Sequence, residues 1–175
     1  MSKFVSGFVS ILGRPNAGKS TLLNALVGTK IAIVADKPQT TRTAIQGVLT
    51  LPEAQIVFVD TPGIHKADSP LNKRMMESVR ASLDERDLLV YVADATLPVT
   101  ESDRHAVDLI RKARAPALLV LNKIDLLKDK EQLLPSIDRY RAMHEFADYF
   151  PLSALKGDKV GELRSAILEI GRAHV

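Results

Sequence analysis

Residues 13 to 20 read Gly-Arg-Pro-Asn-Ala-Gly-Lys-Ser, and no other stretch of the chain is better suited to chemistry. The glycine spacing, with a lysine and a hydroxyl residue behind the second glycine, fits the pattern G-x-x-x-x-G-K-[ST]. A run of phosphates needs many hydrogen-bond donors at close range. Backbone N–H groups supply them only where side chains do not block the approach, and Gly13 and Gly18 leave that room. The helix expected behind the loop adds unpaired N–H groups and a positive dipole end. Lys19 brings a mobile cation for the β and γ phosphates, and Ser20 offers a hydroxyl to Mg²⁺. Arg14, Pro15, Asn16, Ala17 and Thr21 complete the lining. The bland alternative is a glycine turn before a helix. With glycine near ~7% of residues, the full pattern arises by chance at fewer than ~1 position in 10,000.

A second constellation chooses a base. In Asn122-Lys123-Ile124-Asp125 the Asp125 carboxylate can accept two neighbouring N–H donors. Guanine presents such a pair, N1–H and the 2-amino group, whereas adenine presents neither. Asn122 can bond the base and tie this loop to the phosphate loop, and the stem of Lys123 can lie over the purine face. Adenine would leave the carboxylate unpaired in a dry pocket, a penalty that discriminates by ~10⁴ or more. Taken singly, N-K-x-D is a weak signal. Far downstream of a phosphate loop, and at a strand end, it is a strong one. Ser153-Ala154-Leu155 follows the next strand, where the Ala154 N–H could meet the guanine 6-oxygen.

Asp60, closing the apolar run Ile56-Val57-Phe58-Val59, suits the outer shell of Mg²⁺ through water, and Gly63 could turn its N–H toward the γ-phosphate. The alternative for Asp60-Thr61-Pro62-Gly63 is a plain turn after a strand. Residues 29–43 are polar and aperiodic and should supply another metal ligand, Thr41 in preference to Thr40. Contacts that exist only with the γ-phosphate would order both segments, and loss of that phosphate would release them. Lys19, Thr41 and Gly63 are therefore the residues set to act on the γ-phosphate.

The elements that must position these groups can be read from apolar periodicity. Val5 to Leu12 reads as a strand, followed by the loop and a helix that stops near Gly28. Ala44 to Thr50 and Gln55 to Val59 suggest a hairpin around residues 51–54. Leu88 to Ala93 and Ala117 to Leu121 are strongly apolar strands ending at Asp94 and Asn122. Thr100-Glu101-Ser102-Asp103 resembles a capping box opening a helix to Arg114. A helix over 130–146, a strand over 150–153 and a last helix over 160–170 complete the series. Strands alternating with helices imply a mostly parallel sheet covered on both faces, with ligands beyond the carboxyl ends of the strands. Every motif above sits at such an end.

Composition sets bounds on the rest. The 175 residues are 46% hydrophobic and 26% charged, an ordinary globular mixture, and no apolar run reaches the ~20 residues that cross a bilayer. Cysteine is absent, which removes disulfides and thiolate metal sites and agrees with a reducing cytoplasm. The net charge of +3 is too small to argue for nucleic acid; basic clusters such as Arg111-Lys112-Ala113-Arg114 read first as solvated helix faces. His65, His105, His144 and His174 have no ligand spacing.

Gly13 to Ser20, Thr41, Asp60 to Gly63, Asn122 to Asp125 and Ser153-Ala154 together match the five motifs of small GTP-binding domains and span nearly the whole chain. In Lys37-Pro38-Gln39-Thr40-Thr41-Arg42 and Asp60-Thr61-Pro62-Gly63-Ile64-His65-Lys66 the chain resembles the Era family of bacterial ribosome-assembly GTPases. The relatives Der and the tRNA-modifying GTPase usually show Pro-Gly-Thr-Thr-Arg-Asp in the first stretch, where this chain has Gln39 for the glycine and Thr43 for the aspartate. The resemblance implies a P-loop NTPase three-layer α/β fold, a mostly parallel six-stranded sheet with one antiparallel edge strand and helices on both faces. It implies GTP and GDP with Mg²⁺ as ligands, a cytoplasmic location, and a partner in the small ribosomal subunit and its RNA. In this family the RNA is held mainly by a C-terminal KH domain, and full-length members imply peripheral membrane contact. Residues 1–172 then read as a single GTP-binding domain, expected to be monomeric, with 173–175 a tail and no KH domain before Val175.

The resemblance leaves the hydrolytic step open. Ras-type enzymes orient the attacking water with a glutamine just after D-x-x-G, and here that position is Ile64, which cannot bond water. Slow hydrolysis by another route is expected. In the tRNA-modifying relative the asparagine matching Asn16 helps hold K⁺ against the phosphates, so Asn16 joins the catalytic candidates and K⁺ the cofactor candidates; the alternative is that Asn16 only shapes the loop. Arg14 and Arg42 are candidate arginine fingers from within the chain, with surface or partner contacts the stronger reading. Two functions follow: a GTP-hydrolysing switch, or a nucleotide-gated RNA- or ribosome-binding module in which hydrolysis is incidental. An ATP-using protein ranks third because of Asp125.

Overall fold

The structure, a computed structural model, describes residues 5–28, 45–59, 77 and 81–173. Six strands form one sheet: β1 (Val5–Gly13), β2 (Ile45–Thr50), β3 (Ala54–Val59), β4 (Leu88–Asp94), β5 (Ala117–Asn122) and β6 (Asp148–Pro151). Their spatial order is β2-β3-β1-β4-β5-β6. β1 runs parallel to β3 and β4, with Val9 opposite both Phe58 and Leu88, and only the β2–β3 hairpin is antiparallel. The expected six-stranded sheet with an antiparallel edge is the one found.

Among the described residues, α1 (Lys19–Val27), α2 (Glu101–Lys112), α3 (Leu133–Met143) and α4 (Val160–Ala173) flank it, and residues 81–84 are helical as well. Alternation along the strands sorts the side chains between the two faces. Val90 and Val92 of β4 pack with Leu22 and Leu26 of α1 and Leu163 and Ile167 of α4. Leu89, Tyr91 and Ala93 of the same strand face the other way, among Ala106 and Ile110 of α2 and Tyr140 of α3. Burial on both sides explains why β4 and β5 are continuous apolar runs. From β1 the chain goes first to one side of the sheet and later to the other, and the crevice at that reversal lies beyond Gly13. Among the described residues no helix is long and apolar enough to cross a membrane.

Four elements depart from their expected bounds by two residues or more. α2 stops at Lys112 rather than Arg114: Ala113 is already extended (φ −77°, ψ 155°), and the Arg114 N–H donates to Asp84 Oδ1 at 2.9 Å. The helix expected over 130–146 is a 3₁₀ turn at Lys130–Gln132 followed by α3, which ends where His144 turns extended and Phe146 enters the core. β6 lies two residues earlier than expected; Leu152 still donates to Leu121 O at 2.9 Å, but Ser153 pairs with Asp158 instead. α4 continues past Ile170 and takes in Ala173, which the sequence placed in a tail.

The capping box is present. Thr100 Oγ1 accepts from the Asp103 N–H at 3.5 Å, and Asp103 Oδ2 accepts from the Thr100 N–H at 2.9 Å. Thr100→Ala is expected to cost about 1 kcal/mol and to lower Tm by a few degrees in a melt followed by circular dichroism.

Candidate functional site

β1 ends at Gly13 and α1 begins at Lys19, so residues 14–18 turn between a strand end and a helix start. A Cβ at Gly13 would overlap the Val92 carbonyl oxygen on β4, so only glycine lets β1 and β4 lie this close at the mouth of the sheet. Gly18 is the N-cap of α1 with φ +99°, and a Cβ there would overlap Asn122 Nδ2. Asn16 also takes a positive φ, +68°. No side chain caps α1, so the N–H groups of its first turn remain for a ligand at the loop. Lys19 Nζ donates to Gly13 O at 2.6 Å, which folds the ammonium back across the loop. Ser20 and Thr21 are exposed on the first turn.

The segments 122–125 and 153–155 meet this loop through one side chain. Asn122 is buried at the end of β5, and both ends of its amide are used: Nδ2 donates to Ala17 O at 2.9 Å, and Oδ1 accepts from the Ala154 N–H at 3.0 Å. Segments far apart in sequence, 13–20, 122–125 and 153–155, are thereby joined at one point. The tie expected from Asn122 to the loop 13–20 is present. The Ala154 N–H, expected to face a guanine 6-oxygen, is instead engaged by Asn122 Oδ1, because this loop closes directly over the buried amide. A ligand oxygen there would have to share that donor. Lys123 adopts φ +70° ahead of the 3₁₀ turn Ile124–Leu126, and Asp125 is exposed on that turn. Ser153 is buried and accepts from the Lys156 N–H at 3.2 Å, whereas Leu155 is 75% exposed.

Lys123 Nζ donates to Asn16 O at 2.6 Å and pairs with Asp94 Oδ2 at 3.0 Å. Asp94 closes β4 beside Asn122, its partner across the sheet. No role attaches to Asp94 in the sequence, although it ends an apolar strand just as the expected metal ligand Asp60 and the Asn122 motif do. That position was the available signal.

Behind the loop lies a cavity of about 190 Å³ lined by Arg14, Asn16, Asp94, Leu97, Asp103 and Tyr140, among others. Arg14 Nη1 stands 3.7 Å from the buried Asp103 Oδ2, and Tyr91 OH donates to Asp103 Oδ1 at 2.7 Å. Burial first, and the Asp103 charge second, push the phenols of Tyr91 and Tyr140 far above their ordinary range, so both stay neutral at working pH. The Arg14 guanidinium is thus committed behind the loop. That contact, with a buried side chain of the same chain, was not among the roles expected for Arg14, which were an arginine finger or surface and partner contacts.

Thr40, Thr41, Arg42, Asp60, Gly63 and Ile64 lie outside the described residues. The strand end leading to Asp60 is held in place: Ser10 Oγ donates to Val59 O at 2.8 Å and accepts from Arg86 Nε at 2.7 Å, both groups being buried.

Residues 8–123 match the family model described as 50S ribosome-binding GTPase. The chain is similar to GTPase Era of Geotalea uraniireducens, at 50% identity over 161 residues, covering 92% of this chain and 54% of that protein. It is 46% identical over 157 residues to GTPase Era of Syntrophus aciditrophicus, covering 90% of this chain and 51% of the relative. It therefore spans about half the length of these relatives. Among solved structures, one of Era in complex with MgGDPNP and nucleotides 1506-1542 of 16S ribosomal RNA superposes with TM-score 0.74 at 39% identity, over 95% of this chain and 57% of that one. A variant of Aquifex aeolicus Era bound to GDP.AlF4- gives the same figures.

Proposed function

Because the chain belongs to the 50S ribosome-binding GTPase family, we propose that it binds GTP and GDP with Mg²⁺ and hydrolyses GTP to GDP and phosphate, as a switch serving assembly of the small ribosomal subunit. The observation that carries this reading is the Asn122 amide, bonded at once to the phosphate loop and to the Ala154 loop. A phosphate cradle and a purine reader fixed at one separation by a buried side chain suit a single ligand with a phosphate run at one end and a base at the other. Similarity to GTPase Era at about half identity, and to Era structures holding MgGDPNP or GDP.AlF4-, supports guanosine as the nucleoside.

In this reading Gly13 to Ser20 surround the phosphates, with backbone N–H groups as the main donors. Lys19, now on Gly13 O, transfers its ammonium to phosphate oxygens and offsets the charge that develops between the β and γ groups. A Mg²⁺ ion would be held by the exposed Ser20 hydroxyl and by Thr41, with Asp60 reaching it through water. That ion supplies charge neutralisation of the transferred group. Asp125 reads the base edge, Lys123 backs its face, and Asn122, Ser153, Ala154 and Leu155 shape the wall. Residues 1–172 act as one nucleotide-binding unit, and the ribosomal RNA in the related Era complex supports ribosomal RNA as the partner class.

Calorimetric titration in Mg²⁺ tests this reading. GTP and GDP should bind and ATP should not; a well-folded chain that retains neither guanine nucleotide overturns it. The competing reading, a nucleotide-gated binding module with incidental hydrolysis, draws on Ile64 where a water-orienting glutamine would stand and on the engagement of Arg14 with Asp103. Negligible turnover even with K⁺ and small ribosomal subunits present would favour it. If Asn16 helps hold K⁺ against the phosphates, initial rates in KCl should exceed those in NaCl at equal ionic strength by at least ~10-fold, the range of one added charge-stabilising contact. Equal rates would leave Asn16 a loop-shaping role only.

A further inference from the structure

We propose that Asp94 is a positioning residue for the nucleotide: it clamps the Lys123 ammonium so that the lysine stem stays laid out as the platform for the base. The inference rests on the guanine-nucleotide reading above.

Lys123 is a long side chain with many rotamers, and a stem serves as a stacking surface only if its far end is held. Two groups hold it here, and they come from different parts of the chain. Asn16 O accepts from Nζ at 2.6 Å, and Asp94 Oδ2 lies 3.0 Å from the same nitrogen. The first is a neutral carbonyl on the phosphate loop. The second is a carboxylate whose side chain is only 11% exposed, against 30% for Lys123, so the pair is shielded from solvent more than an ordinary surface ion pair.

Asp94 is itself oriented. Its Oδ1 accepts from the Thr96 N–H at 2.9 Å and from Thr96 Oγ1 at 2.5 Å, which turns Oδ2 toward Lys123. Burial raises its proton affinity, but the Thr96 donors and Lys123 outweigh that and hold the carboxyl below its usual range, so it is ionised at neutral pH. The ends of β4 and β5 and the phosphate loop thus meet at one ammonium group. A ligand stacked on that stem leaves only when the clamp opens or the base slides free, so the clamp acts chiefly on dissociation.

Asparagine at position 94 separates this role from a purely structural one. Its side-chain oxygen still accepts from Thr96 and keeps the turn, while the charge facing Lys123 is gone. Release of a fluorescent GDP analogue is measured by stopped flow for the wild type, Asp94→Asn, Lys123→Met and the double variant. Methionine keeps an apolar stem without the ammonium. Asp94→Asn is expected to release the analogue about tenfold faster, with the nucleotide-free chain still folded and its Tm lowered by no more than a few degrees, and to add nothing to release in the Lys123→Met background. Wild-type release from Asp94→Asn, or independent multiplication of the two effects, overturns the proposal. Should Asp94→Asn not fold, Thr96→Val, which removes the hydroxyl that aims the carboxylate, carries the same test: faster release that vanishes beside Lys123→Met supports the clamp, and unchanged release overturns it. A wild type that retains no analogue overturns the nucleotide reading itself, and this inference with it.

Discussion

Asp125→Asn is expected to weaken GDP binding by ~10³ to 10⁴ and to move preference toward xanthine nucleotides, the range reached when a buried polar pair is lost. The carboxylate accepts from two N–H donors on guanine. An amide oxygen accepts from only one, and its NH₂ then faces a second donor. Xanthine carries a carbonyl where guanine has the amino group, and the amide can donate to it. Asp125 is exposed on the turn Ile124–Leu126, and its loop is anchored through Lys123 and Asn122 rather than through Asp125 itself. The substitution should therefore leave the fold intact, and Tm without nucleotide should match the wild type. Competition of GDP and XDP for the purified variant is the measurement. Retained guanine preference would remove Asp125 from base reading.

Gly18→Ala should damage both stability and binding, and for a reason visible only in three dimensions. Its φ of +99° already strains any side chain, by about 1–2 kcal/mol. The new Cβ would in addition overlap Asn122 Nδ2, forcing out the amide that donates to Ala17 O and accepts from the Ala154 N–H. Each of those bonds is worth about 1 kcal/mol, and a buried group left unpaired costs more. A total loss of about 3 kcal/mol is expected, with GDP affinity down ~100-fold because the loop and the base pocket lose their common anchor. Gly28→Ala is the control. Gly28 also has a positive φ, +83°, but among the described residues nothing lies within 4 Å of a Cβ there. It should show the backbone cost alone, with nucleotide binding unchanged. Equal loss of GDP affinity at both positions would mean that the overlap with Asn122 carries no weight.

These two substitutions divide along the line between local pattern and long-range contact. Gly13-to-Ser20 and Asn122-to-Asp125 could be read directly, since their chemistry depends on residue type and short spacing: bare backbone, a cation, a hydroxyl, a carboxylate. The sheet was legible for a similar reason, because burial on both faces makes β4 and β5 continuous apolar runs. Element ends were less so. Nothing in the apolar pattern over 150–153 said that Asp148 and Tyr149, one of them exposed, would pair with Leu118 and Leu119.

The amino-acid order alone determined the fold class and was enough to propose a phosphate loop and a choice of base, because each reading rests on properties that a residue and its near neighbours already possess. Tertiary structure decided what joins them. That Asn122 would spend its amide on Ala17 and Ala154, that Arg14 would turn to Asp103, and that Asp94 would hold Lys123 all depend on which strand ends lie side by side. Hydrogen bonds and ion pairs act over about 3–4 Å, whereas their partners here are tens of residues apart along the chain; only the packed sheet brings them within range.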